Sequence, residues 1–380
     1  MEFLITQYIY PLQEKLILSQ HLGFWLDNPR TELEISAVSD YLLRAYESGY
    51  DYKFPIYSDK QIITIEDILF GFRDALSNSD PYLEKFFRTY DRENVFEFLA
   101  KMWVIARYDD KGLGDELREE HKKIRDQGTH SFFLLDDDHP LITRPIALAN
   151  YCSLLSLLVN TEHNDYYGRQ ILLDNEEIDL QRPVKRVWQE FLMFGIAAKD
   201  YPRNEDQLGW IFFPYSQKNI LEIASQVDQT INNGDEDKFL YIGSVLKTAS
   251  EISLDVRTRI ILLTSIIELL LTHNPDFNRF NVEDSINKQF QLKASILIYL
   301  NDKSRDINQI QKRLKTIYTQ RSNIAHGNFQ ALNKYIQNLS KKEDSEEFLS
   351  SLVVDLYKYV RAILEEYLKN KDFIEFLKNG

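Results

Sequence analysis

The distribution of proline and glycine constrains the fold of this 380-residue chain more than any other feature of its sequence. Eleven of the thirteen glycines and nine of the ten prolines lie at or before Gly243. No proline follows Pro275, and Gly327 is the only internal glycine after Gly243. A stretch that lacks these helix breakers favours long helices. We therefore predict that residues 206–380 form a helical domain.

Apolar residues in this domain recur at spacings of three and four, which is the pattern of helices with one buried face. The segment 348–368 carries one such apolar stripe over about six turns. The segment 254–273 is apolar on nearly all sides and is predicted to be the central, buried helix. Further helices are predicted at 216–232, 237–253, 284–300 and 305–326. Five or six helices of this kind form an antiparallel bundle.

Residues 1–205 are predicted to form a mostly helical domain with a sensing or regulatory role. Helical spacing is found in segments that include 14–28, 81–110 and 145–162, while 52–65 suggests a short hairpin. With this domain in front of the bundle, the predicted fold class of the chain is mainly all-α.

The composition indicates a soluble protein of a reducing compartment. The chain has one cysteine, Cys152, so no disulfide can form within it. The N-terminus begins Met-Glu rather than with the positive charge of a signal peptide. The longest apolar run, 260–271, contains Glu268 and is too short to span a bilayer. We expect a cytoplasmic location and no membrane partner.

A basic segment interrupts an otherwise acidic chain, whose formal net charge is −14. Residues 303–321 include six basic residues and one acidic residue, Asp306. The six are Lys303, Arg305, Lys312, Arg313, Lys315 and Arg321. A run of this kind is often no more than a solvated helix face. Its other interpretation is a surface that attracts the phosphates of RNA.

The basic segment leads into the sequence Arg-Ser-Asn-Ile-Ala-His-Gly at 321–327, which has two interpretations. In the first it is a helix end: Gly327 adopts the left-handed conformation that stops a helix, and His326 is a favourable cation in the last turn. Arg321 would then pair with Glu268 on the neighbouring buried helix. In the second interpretation the segment is an active site.

Other candidate sites are weaker. The chain contains no phosphate-binding glycine loop, no nucleophile-elbow serine and no paired-cysteine zinc site. The ligand-type run 136–139 precedes Pro140, which favours a turn over a metal site. Arg125 and His130 repeat the spacing of Arg321 and His326, but they lie in a polar, non-periodic stretch and are interpreted as a coincidence.

Arginine and histidine without a metal suit the cleavage of RNA by its own 2′-hydroxyl. A histidine can move the proton at the 2′-oxygen or at the leaving 5′-oxygen. A guanidinium can bind the phosphate and stabilise the charge of the phosphorane. Because this segment supplies one histidine, two copies facing each other across a two-fold axis would complete the acid–base pair.

The sequence 317–329 following 264–273 resembles the HEPN superfamily, most closely its Apea-like branch, which is often seen in prokaryotic defence proteins. Its signature is an arginine, four to six residues and a histidine near a helix end, commonly with a polar residue soon after the arginine, as Asn323 is here. A glutamate in an earlier buried helix and a glycine after the histidine are also typical, and Glu268 and Gly327 match them. The resemblance covers roughly 215–375 and does not extend to 1–205.

The resemblance implies a metal-independent endoribonuclease that acts as a homodimer, a defence effector or toxin that needs no cofactor. Its catalytic residues would be Arg321, His326 and Asn323, with Glu268 in support. The residues expected to bind RNA are Lys312, Arg313 and Lys315. The domain 1–205 would detect a trigger or recruit a partner from a defence system.

Two other interpretations stay open. Many members of the superfamily are inactive, so the bundle could be a non-catalytic module that dimerises or binds RNA or a nucleotide. Alternatively, the region 1–205 could be the enzyme and the bundle its dimerisation element.

Overall fold

The computed structural model describes residues 3–47, 81–109, 140–159, 171–172, 213–251, 255–272, 286–339 and 345–379. The chain is mainly helical, as predicted. It divides into two compact units, Met1–Asn233 and Gly234–Gly380. Among the described residues no helix combines the length and the apolar character needed to cross a membrane.

The first unit contains an antiparallel sheet that the sequence analysis did not predict. Its strands are β1 (Phe3–Ile9), β2 (Leu16–Ser19), β3 (Phe24–Asp27), β4 (Trp103–Tyr108) and β5 (Ile171–Leu172), in the spatial order β2-β3-β4-β1-β5. All neighbouring strands are antiparallel. Ala106 of β4 lies between Leu26 of β3 and Leu4 of β1, which places β4 at the centre.

The helix predicted for 14–28 is therefore wrong, because this segment forms β2 and β3. Its burial alternates along the chain: Leu16 and Leu18 are buried, while Ile17 between them is 44% exposed. That period of two belongs to a strand. The helical prediction for 81–110 is also wrong at its C-terminal end, which forms strand β4. All residues of β4 are buried. A fully buried run has no period that separates strand from helix.

Within its described residues, the first unit has helices α1 (Glu32–Glu47), α2 (Pro81–Phe87), α3 (Val95–Met102), α4 (Pro140–Val159) and α5 (Phe213–Thr230), with a short 3-10 turn at Arg92–Asn94. Helix α5 packs against α4 and β2. The buried hydroxyl of Tyr151 on α4 joins these elements, because it lies 2.6 Å from the carbonyl oxygen of Leu18 and 3.2 Å from that of Ala224. The predicted hairpin at 52–65 lies outside the described residues.

The boundary between the units falls at Asn233/Gly234, later than the predicted position near residue 205. Helix α5, which the prediction assigned to the C-terminal bundle, packs within the first unit instead. The physical break is a π-helical segment, Ile231–Asp235, in which Gly234 has a φ of 96°. A single glycine in this left-handed region interrupts a helix that its neighbours would otherwise continue.

The second unit is a helical bundle. Its helices are α6 (Glu236–Glu251), α7 (Val256–Leu271), α8 (Ile286–Asn301), α9 (Ile307–Ala325), α10 (Phe329–Leu339), α11 (Ser345–Lys369) and α12 (Lys371–Asn379). Helix α7 packs against α6, α8, α9, α11 and α12, which confirms that the apolar segment 254–273 is central. Leu263, Ile267 and Leu271 of α7 are completely buried.

Two aspartates fix where the central helix and the motif-bearing helix begin. The carboxylate of Asp255 accepts the backbone N–H groups of Arg257 and Thr258, both at 3.2 Å, at the start of α7. Asp306 accepts the N–H of Asn308 at 2.8 Å at the start of α9. Each cap satisfies N–H groups that have no partner within the first helical turn.

Helix α12 is held to the bundle by a charged network around Tyr367, whose side chain is buried. Lys238 of α6 donates to the Tyr367 hydroxyl at 2.8 Å and to Glu375 of α12 at 2.7 Å. The Tyr367 hydroxyl also lies 3.1 Å from a carboxylate oxygen of Asp235, which Lys371 pairs at 2.7 Å. Burial raises the pKa of Tyr367, so its hydroxyl keeps its proton for these carboxylates.

Candidate active site at the end of helix α9

Helix α9 ends in a Schellman motif at the residues that the sequence singled out. Gly327 has a φ of 66°. Its N–H donates to the carbonyl oxygen of Ile324 at 3.1 Å, and the N–H of Asn328 donates to that of Asn323 at 2.7 Å. These two bonds define the motif, and glycine is favoured at its left-handed position. The prediction that Gly327 ends the helix is confirmed, and His326 is the last residue before the turn.

Arg321 pairs with Glu268, as the helix-end interpretation proposed. Its Nη2 atom lies 3.0 Å from Oε2 of Glu268 and joins α9 to the central helix α7. The two side chains are 25% and 18% exposed, so the pair is partly shielded from water. Glu268 lies in the last turn of α7, where the helix dipole disfavours a carboxylate. The guanidinium of Arg321 offsets that cost.

Tyr318 completes this pair and was missed in the sequence analysis. The guanidinium carbon of Arg321 lies 5.8 Å from the centre of the Tyr318 ring, and the Tyr318 hydroxyl lies close enough to Glu268 for the carboxylate to act on its pKa. Burial raises the pKa of Tyr318, and so does the charge of Glu268, whereas the charge of Arg321 lowers it. The hydroxyl therefore stays protonated beside the carboxylate. Its position three residues before Arg321, on the same helix face, was the available signal.

The pairing with Glu268 leaves part of the Arg321 guanidinium able to bind a second anion. Its Nε atom is buried and has no hydrogen-bond partner among the described residues. A buried donor without a partner is unfavourable, so the guanidinium is not fully satisfied by Glu268 alone. With 25% of the side chain still exposed, the same group can reach an anion at the surface.

His326 and Arg321 face different directions. His326 is exposed, and its side chain makes no hydrogen bond to any residue that the structure describes. On an ideal helix, positions five apart differ by about 140° in direction. Arg321 accordingly points to α7, while His326 lies at the exposed helix end. Within one chain the ion-pair partner of Arg321 is Glu268 and not His326.

Asn323 is tied to the helix end rather than to either of these residues. Its Nδ2 atom donates to Oε1 of Gln320 at 3.1 Å, and Gln320 is buried. Its Oδ1 atom lies 3.5 Å from Nδ2 of Asn328. Together with the backbone bond of the Schellman motif, these contacts give Asn323 a role in shaping the turn after His326.

The three basic residues expected to bind RNA are not equivalent. Lys312 and Lys315 are exposed on α9. Arg313 instead donates from Nε to Asp355 of α11 at 2.6 Å and from Nη2 to Ser351 at 3.2 Å. Its charge is therefore largely matched within the bundle, whereas the two lysines present theirs to solvent.

The weaker candidates add no second site to the described part of the chain. The segment 136–139 and the pair Arg125 and His130 lie outside the described residues. Within the described ranges, no group of three histidine, cysteine, aspartate or glutamate side chains is placed to hold a metal ion.

Comparisons with protein-family models, with curated proteins and with solved structures find no match to this chain.

Proposed function

We propose that the chain is a metal-independent endoribonuclease of the HEPN type, a defence effector or toxin that cleaves RNA at a site shared by two copies. The observation that carries the proposal is the contact between Arg321 and Glu268. It brings together the arginine of the motif and the glutamate of the central helix, the residues that the resemblance names as catalytic and as supporting. His326 stands exposed at the end of the same helix.

In the proposed reaction the 2′-oxygen of a ribose attacks the adjacent phosphorus, and the bond from phosphorus to the 5′-oxygen breaks. His326 accepts the proton of the 2′-hydroxyl, or donates a proton to the departing 5′-oxygen. Arg321, held by Glu268, stabilises the extra negative charge of the phosphorane. The products carry a 2′,3′-cyclic phosphate and a 5′-hydroxyl.

The directions of the two side chains argue for a second copy. One chain contributes one motif histidine, whereas the reaction needs one proton acceptor and one proton donor. Arg321 and His326 also point about 140° apart on their helix. A two-fold dimer that faces α9 with α9 would bring both histidines and both arginines to one cleft. We therefore expect the active form to be a homodimer.

The test is cleavage of labelled tRNA and mRNA by the purified full chain in excess EDTA, with the fragment ends identified. Wild-type protein should produce cyclic phosphate and 5′-hydroxyl ends. His326→Ala should abolish this cleavage. Gln330→Ala, which replaces another exposed residue beside the turn, is the matched control and should cleave normally. A requirement for Mg²⁺ or Mn²⁺, or full cleavage by His326→Ala, would contradict the proposal.

The same contact is also what the non-catalytic alternative expects. Arg321 already has a structural partner in Glu268, and Gly327 is explained by the helix end. If the bundle only dimerises or binds RNA, overexpression should have the same effect on growth with wild-type protein and with His326→Ala. Relief of growth inhibition by His326→Ala alone would favour the nuclease.

A further inference from the structure

An aromatic ring and a guanidinium lie together beside the turn that follows His326. Phe329 is the first residue of α10, and 49% of it is exposed. The guanidinium carbon of Arg257, in the first turn of α7, lies 5.5 Å from the centre of the Phe329 ring. The Cε2 atom of Phe329 lies 3.9 Å from the point where a Cβ atom on Gly327 would stand. The ring is therefore adjacent to the residue after His326.

Packing of α10 does not account for the whole of this ring. Phe329, Leu332 and Ile336 follow each other along one helix face. Leu332 is completely buried and Ile336 is 7% exposed, so these two residues attach the helix to the bundle. Phe329 lies on the same helix face as Leu332 and Ile336, but about half of its surface is exposed to solvent. Arg257 covers part of the ring with a group that is itself exposed.

We infer that Phe329 and Arg257 form a stacking platform for one unpaired base of the RNA, next to the phosphate that is cleaved. The inference rests on the proposed ribonuclease function and names a part of the substrate that the function leaves open. Unpaired bases stack on aromatic rings and on the planes of arginine guanidinium groups. Arg257 adds attraction for the π-system on one side and for a phosphate on the other.

The platform carries the positive charge of Arg257, which suits a nucleic acid. Asp255, the nearest carboxylate in sequence, is occupied by the backbone of Arg257 and Thr258 and by the Thr258 hydroxyl at 2.5 Å. These hydrogen bonds lower the pKa of Asp255 and keep it engaged as the cap of α7. The charge of Arg257 also lowers the pKa of Asp255, while its side chain faces the Phe329 ring. Further back along α9, Lys312 and Lys315 are exposed.

Binding can be measured apart from cleavage in the full chain carrying His326→Ala. The probes are short single-stranded RNAs, each with 2-aminopurine at a different single position. Fluorescence anisotropy of each probe gives its affinity, and quenching of the 2-aminopurine fluorescence reports stacking. In this background Phe329→Leu should weaken binding by about tenfold and remove the quenching, because it keeps the apolar bulk but not the ring. Phe329→Trp should keep both, and Arg257→Gln should weaken binding by a few-fold.

Phe376→Leu is the matched control, because Phe376 is a 72% exposed phenylalanine on another helix of the same unit. It should leave affinity and quenching unchanged. The platform would be overturned if Phe329→Leu bound the probe as tightly as the His326→Ala chain that keeps Phe329. It would also be overturned if Phe329→Leu and Phe376→Leu lost RNA affinity equally. Failure of the His326→Ala chain to bind the probe at all would also overturn it.

The same measurements separate the platform from the nuclease. Quenching that depends on Phe329, in a protein whose wild-type form cleaves no RNA, would support the platform and reject the proposed activity. Cleavage by the wild-type protein that Phe329→Leu neither slows nor redirects to other sequences would support the activity and reject the platform.

Discussion

Removing the Arg321–Glu268 pair should affect stability and RNA cleavage to different degrees, and the structure gives the size of both effects. At an effective dielectric constant of ~20, two unit charges 3.0 Å apart attract by about 5 kcal/mol. Desolvation and screening offset most of this attraction, since both groups are partly exposed. We expect a net coupling of about 1–2 kcal/mol between the two side chains. A loss of this size leaves the chain folded.

The coupling can be measured with a double-mutant cycle of Glu268→Ala, Arg321→Ala and the double variant, using urea unfolding of the full chain. Glu268→Ala should cost about 2 kcal/mol, because it also leaves a half-buried guanidinium unpaired. The double variant should be about 1–2 kcal/mol more stable than the sum of the single losses predicts.

RNA cleavage by the same variants separates the structural part of the pair from the catalytic part. Arg321→Ala should slow cleavage by about 100-fold or more, since the phosphorane loses its cation. Glu268→Ala should slow it by about tenfold, because Arg321 is present but loosely held. Glu375→Ala is the control: it breaks a pair with Lys238 of similar exposure, 24% and 32%, on other helices. It should lower stability by about 1 kcal/mol and leave cleavage unchanged.

Two results would refute this reasoning. Stability losses that add within about 0.5 kcal/mol would mean that Arg321 and Glu268 do not interact in solution. Unchanged cleavage by folded Arg321→Ala protein would mean that the arginine serves the bundle and not the reaction.

Three further predictions concern RNA affinity, the turn and the first unit. Lys312→Glu with Lys315→Glu should flatten the salt dependence of single-stranded RNA binding by about 0.7 log units per lost phosphate contact, and an unchanged slope would place the RNA elsewhere. Gly327→Ala should cost about 1 kcal/mol in thermal unfolding because of its φ of 66°, while Gly327→Asn should cost less; equal stability of all three would contradict the strain. Burial alone would raise the pKa of Glu34, but hydrogen bonds from Arg107 and two backbone N–H groups lower it to about 2, from an ordinary 4.5. Its stabilisation should be complete above pH 4.5 and fade as the pH falls to about 2; Glu34→Gln should lose that dependence in urea unfolding, and parallel pH profiles would reject the assignment.

The helix end and the ion pair were predictable because they follow from local rules. A glycine after a long helical stretch ends a helix in few ways. Glu268, a single charge in a long apolar run, needs a cation from a neighbouring helix. Tyr318 was not predictable on the same grounds, because an aromatic residue on a half-buried helix face most often belongs to the core. Its closeness to Glu268 depends on how α7 and α9 pack, which no local pattern contains.

The sheet escaped prediction for a different reason. The segment that forms β2 and β3 is short, and its apolar residues satisfy a helical spacing almost as well as an alternating one. Only pairing with β4, about 80 residues further along the chain, decides between them. Arg107 of β4 also pairs with Glu34 of α1 at 2.5 Å, another contact that joins distant positions. Such tertiary contacts override local propensity in the first unit. The helices of the second unit, in contrast, are specified by their own local sequence patterns.

The turn after helix α9 constrains Gly327 and His326 to different degrees. The backbone favours glycine at 327, with asparagine as the next best residue, whether or not a relative of this chain cleaves RNA. His326 is under no such requirement, since its φ of −97° is open to any residue and its side chain is exposed. A relative that keeps the glycine and has lost the histidine would have preserved the architecture and abandoned the chemistry. Under the proposed function, a histidine retained beside the glycine would indicate selection on activity, and the glycine alone would not.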